Sequence, residues 1–183
     1  MILLNYSQCF CLHNESRQKI APSCWLNIGV HYMRIQQLRD LLEYVANCRL
    51  DMAQLYGRLN NQADSARVKM MLEYFESHQK HVAEKLRDYM DEAPVRVLDT
   101  WYKDFVFEDF TKRCQDTMLP ANMNEDDVLN LHLDLENRLI GLLEKTVNST
   151  TAEDARTALE GLIRVEKIQQ QRLVHSTIRM DDI

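Results

Sequence analysis

The sequence predicts an all-α protein: a four-helix bundle built from two antiparallel hairpins joined by a long crossover. Three observations carry this. Only 4 Gly and 3 Pro occur in 183 residues, and Pro22, Pro94 and Pro120 all fall outside the long periodic stretches, as expected when Pro marks helix ends. Four segments repeat apolar residues every three or four positions, the stripe of a bundle helix. The links between them run short, long, short, which pairs the helices as hairpins.

The first helix is expected from Met33 to Leu59. Leu38, Leu41, Val45, Cys48, Met52, Leu55 and Leu59 alternate three and four apart. Asn60 to Asp64 supply turn and cap residues. The second helix is expected from Asp64 to Glu92, with the seam Val68, Met71, Phe75, His78, Val82, Leu86 and Tyr89. Pro94 marks its end.

Residues 93–123 are too long for a simple turn. They read as the crossover, part of it a short helix. Trp101, Tyr102, Phe105, Phe107 and Phe110 are expected either to cap the bundle or to anchor a homodimer or a protein partner. The third helix opens at Asn124, an N-cap followed by Glu125, Asp126 and Asp127, which suit the helix dipole. Its seam is Val128, His132, Leu135, Leu139 and Leu142, flanked by Leu129, Glu136 and Leu143. Thr150 and Glu153 have capping-box spacing before a fourth helix from Thr151 to Ser176. That helix carries Ala155, Leu159, Leu162, Glu166, Gln169 and Leu173 on one face. Residues 177–183 read as an acidic tail.

Residues 1–32 differ from the rest. They hold Cys9, Cys11 and Cys24, one acidic residue (Glu15) and no helical period. They are expected to be a translated leader ahead of a true start at Met33, or else a disordered extension. Gly29-Val30 can be encoded so as to place a bacterial ribosome-binding sequence before Met33. Cys9, Cys11 and His13 have only weak metal-ligand spacing.

The bulk numbers narrow the function. A net charge of −6, a pI near 5.5 and no basic stripe argue against nucleic acid. No apolar run approaches the roughly 20 residues of a membrane span, and the start lacks a basic n-region. A cytoplasmic location is expected. Neither a phosphate-binding Gly-rich loop nor a Gly-x-Ser-x-Gly elbow occurs. Cys48 and Cys114 are expected to be inert core thiols.

The informative anomaly is polar residues in an apolar seam, since an unpaired buried polar group costs about 1–3 kcal/mol. His78 and His81 share a face, His132 precedes Glu136 by one turn, Glu166 precedes Gln169 by three, and Arg49 lies beside Cys48. With these positions, "CRLDMAQLYGRL" and "MLEYFESHQKHVAEKL" resemble the first hairpin of the ferritin-like superfamily, particularly its rubrerythrin-type members. "LHLDLENRLIGLL" and "LEGLIRVEKIQQQRL" resemble the second. The resemblance covers residues 33–176, through pattern more than identity, and suggests an uncharacterised bacterial group.

That resemblance implies a metal site of Glu residues and two Glu-x-x-His motifs in the bundle interior. Here Arg49 stands at the Glu position of the first helix. His78 replaces the Glu of the first motif and His81 matches its His. Glu136 matches the Glu of the third helix, Glu166 that of the second motif, and Gln169 replaces the last His. Two functional expectations follow. One is a non-catalytic bundle acting through protein interaction or self-association, with Arg49 paired to Glu136 or Glu166. The other is a metalloprotein that stores, senses or uses iron, zinc or manganese through His78, His81, Glu136 and Glu166.

Overall fold

The computed structural model describes residues 35–105 and 109–180, with side chains for 37–101 and 109–175. The expected leader and Phe107 lie outside these residues. Four long helices form: α1 (Leu38–Gln62), α2 (Ala66–Glu92), α5 (Glu125–Ser149) and α6 (Glu153–Met180). At 1.5 Å per residue each is about 40 Å long.

The crossover holds short elements: α3 (Val95–Leu98), β2 (Trp101–Phe105) and α4 (Phe110–Asp116). Strand β2 pairs antiparallel with β1 (Ile35–Gln37), so the first helix begins at Leu38 rather than Met33. The Leu38 amide donates to the Thr100 carbonyl at 3.1 Å, tying the crossover to the start of α1. At the other end the Asp64 amide donates to the Ala121 carbonyl at 2.9 Å. The crossover therefore runs the length of the first hairpin, and α5 starts beside the start of α2, where Arg67 pairs with Glu125 at 3.2 Å.

The caps follow local chemistry. Asn124 Oδ1 accepts from the Asp127 amide and Asp127 Oδ2 from the Asn124 amide, both at 2.9 Å, a reciprocal capping box. Ser65 caps α2 by accepting from the Val68 amide at 3.4 Å. Thr150 does not cap the fourth helix as expected. It ends α5 instead, and its carbonyl accepts from Arg156 at 3.0 Å.

The interior splits into two apolar clusters. One gathers Leu38, Leu42, Val82, Leu86, Leu98 and Leu159. The other gathers Met52, Tyr56, Leu72, Phe75, Phe110 and Val128. Between them lies a layer of buried polar residues: Arg49, Gln79, Glu136 and Glu166.

The second seam differs from expectation. Val68, Met71, Phe75, Val82 and Leu86 are buried as expected, but Gln79 takes the place of His78 and Met90 that of Tyr89. The shift is one residue, 100° of helix rotation, and it turns His78 to the edge and His81 to solvent. Of the aromatics in the crossover, Phe110 is buried and Trp101 is 65% exposed. The side chains of Tyr102 and Phe105 are outside the described set.

Candidate functional site

Each long helix contributes to the central layer. Arg49, on α1, is 1% exposed. Its Nη1 donates to Gln79 Oε1 at 3.0 Å and to Glu136 Oε1. Its Nη2 donates to Glu166 Oε2 at 2.8 Å. Gln79 Nε2 donates to Glu136 Oε1 at 2.9 Å, which closes a ring through α1, α2 and α5. One planar guanidinium holds three side chains in this way from two nitrogens in a fixed fork, whereas a lysine would offer its three donors from a single atom.

His132 extends the layer. Its Nε2 lies 3.7 Å from Glu136 Oε1, beyond hydrogen-bond range. Its Nδ1 is 2.9 Å from the Tyr56 hydroxyl. Phe75 stacks on the ring at a centroid distance of 4.3 Å. Burial lowers the His132 pKa to about 4 and raises that of Tyr56 well above its usual value. At pH 7 the imidazole is therefore neutral, and it shares one hydrogen bond with the Tyr56 hydroxyl through Nδ1.

The two carboxylates are not equivalent. Burial pushes the Glu136 pKa up, but Arg49, His132 and the hydrogen bonds from Arg49 and Gln79 outweigh it, leaving the value below the ordinary range. Burial raises that of Glu166; Arg49 opposes this, and the nearby Glu136 charge adds to it. Arg49 stays charged, because burial, which disfavours its charge, is outweighed by Glu136 and Glu166. The formal charge of the layer is −1, with Glu166 the carboxylate nearer to protonation.

Of the four residues expected as metal ligands, Glu136, Glu166 and His78 border one small void and His81 lies apart from it. Glu136 and Glu166 meet on Arg49. His78 borders the same small void but stacks on Tyr74, centroids 6.0 Å apart. His81 is exposed. Among the described residues no group of three or more His, Cys, Asp or Glu is arranged to hold a metal ion. Cys48 and Cys114 are buried free thiols, and burial pushes both pKa values up to about 12.

Gln79 was missed in the sequence because a glutamine beside two histidines reads as surface. The available signal was its spacing, four after Phe75 and three before Val82. The bond of Tyr56 to His132 crosses from α1 to α5, so no spacing within one helix shows it.

Two antiparallel hairpins, one long crossover between them, and polar side chains from all four long helices meeting at mid-bundle settle the architecture. A single long crossover between two hairpins is also the connection of ferritin-like folds. The donor set of this bundle does not fit the two-metal group that the sequence resemblance implies. A guanidinium bonds both interior carboxylates, adding positive charge where the metals would need negative charge. The void bordered by Glu136, Glu166, His78 and Gln169 is about 10 Å³, room for about one water, whereas paired metals sit about 3.5–4 Å apart.

No protein-family model matches the chain, and no curated protein matches it. Among solved structures, the crystal structure of a "putative ferritin-like diiron-carboxylate protein" from Thermotoga maritima is similar. It is 19% identical with a TM-score of 0.49, over 81% of this chain and 97% of that one. No helix among the described residues is long and apolar enough to cross a membrane.

Proposed function

We propose that this chain is a non-catalytic ferritin-like bundle, stabilised internally by Arg49 and acting through protein interaction or self-association. The observation that carries the reading is the arginine bridge. Arg49 binds Glu136 and Glu166 on the two helices of the second hairpin, so one protein cation takes the place of metal charge. Such a buried ionic layer fixes helix register without chemistry. Among the described aromatic side chains of the crossover, Trp101 is the exposed one and could anchor a partner or second copy. A cytoplasmic, bacterial setting belongs to the same reading.

The test is metal analysis of protein purified without an affinity tag, with light scattering on the same sample. The expected result is substoichiometric iron, zinc and manganese, and a self-association or partner complex that Trp101→Ala weakens. Stoichiometric metal that is lost in His78→Ala/His81→Ala would overturn it in favour of the metalloprotein.

A further inference from the structure

Between α2 and α6, above α1, lies a cleft of about 490 Å³, within the size range of small-molecule sites. Its ends differ in chemistry. One end is apolar, formed by Leu38, Leu42, Leu86 and Leu159. The other is formed by Glu166, Gln169 and His78.

This second end holds a buried carboxylate and a buried amide oxygen. Glu166 is 4% exposed and gives Oε2 to Arg49; no other hydrogen bond to its carboxylate occurs among the described residues. Gln169 Oε1 is buried and has no hydrogen-bond partner among the described residues. Behind them, one guanidinium faces two carboxylates. Lys85, on the α2 wall, is tied to Asp88 at 3.0 Å.

We propose that the cleft binds a small amphiphilic amine, with its ammonium head on Glu166 and Gln169 and its apolar body against the leucine end. A primary ammonium carries one positive charge and three donors and accepts nothing. It matches the uncompensated charge and the partnerless acceptor together. A carboxylate head would meet Glu166 as a like charge. A neutral alcohol would leave the charge unmatched.

Isothermal titration of the full chain at pH 7 in EDTA, with octylammonium, octanol and octanoate each below its aggregation threshold, tests this. Octylammonium should bind saturably at one per chain, octanol about tenfold weaker or worse, and octanoate not at all. Gly161 lines the cleft, and a Cβ there would meet nothing within 4 Å. Gly161→Leu should therefore fill the cleft and abolish amine binding with the far-UV circular dichroism unchanged. Gln169→Leu should weaken the amine about tenfold and leave octanol unchanged. Octanoate binding as tightly as the amine, amine binding that survives Gly161→Leu, or no saturable amine binding would each overturn the proposal. A dimer that Gly161→Leu dissociates, with no amine bound, would do so too, by assigning the cleft to a second copy. Because EDTA is present throughout, metal content does not affect the outcome.

Discussion

The ionic layer divides the bundle into two halves that are packed alike inside and covered differently outside. In the half that contains Leu72 and Phe75, the crossover closes over the helices. Phe110, Cys114 and Met123 are buried there, and Arg58 holds the end of α4 by donating to the Cys114 and Thr117 carbonyls at 2.8 and 2.9 Å. In the half that contains Leu42 and Leu86, α3 and the β1–β2 pair add cover at the end of the bundle, and the α2–α6 side stays open as the cleft. The difference shows what a single crossover can do: it seals one half and leaves the other accessible up to the charged layer.

The largest effect should come from the layer that both halves share. Arg49→Met leaves two buried carboxylates without their cation and should cost about 3–5 kcal/mol in urea unfolding. The triple change Arg49→Met/Glu136→Leu/Glu166→Leu should recover most of that, since an apolar layer of similar volume is often no less stable than a buried ion network. Within the sealed half, Leu72→Ala should cost about 2–5 kcal/mol, because packing on every side prevents collapse into the void.

Acid should weaken the layer next. The folded pKa of His132 is about 4 against an ordinary 6.5. The unfolded chain therefore binds more protons between those values, and stability present above pH 6.5 is lost as pH falls through 4. The loss is at most about 3 kcal/mol. Glu136 and His78 act in the same direction, and Glu166, shifted upward, opposes them. His132→Gln should flatten the profile between pH 6.5 and 4. The smallest effect belongs to the open half: Leu162→Ala, half-buried on the cleft wall, should cost about 1 kcal/mol or less. A cost equal to that of Leu72→Ala would show that the cleft is closed in solution.

Much of this was legible in the sequence. The first seam, Leu38 to Leu59, is buried throughout, because strict three-four spacing leaves no second face to choose. Asn124 caps as its neighbours predict, since a cap is a local interaction. His78 was misplaced because the rule that assigns seams is hydrophobicity, and Gln79 is buried for a different reason: it is a donor and acceptor inside an ionic ring. The bond from Tyr56 to His132 and the width of the α2–α6 cleft depend on how helices distant in sequence sit beside each other, and no local pattern encodes that.

In the proposed reading, Arg49 supplies the positive charge of the interior in place of a metal. The most direct test of this is the urea midpoint of the wild-type chain in EDTA and with excess iron(II), zinc or manganese. A ligand that binds the folded chain alone raises stability by about 2.7 kcal/mol at a hundredfold excess over its Kd. The account predicts one midpoint in all four solutions. A midpoint that rises with one metal, and no longer does so in His78→Ala/His81→Ala, would contradict it.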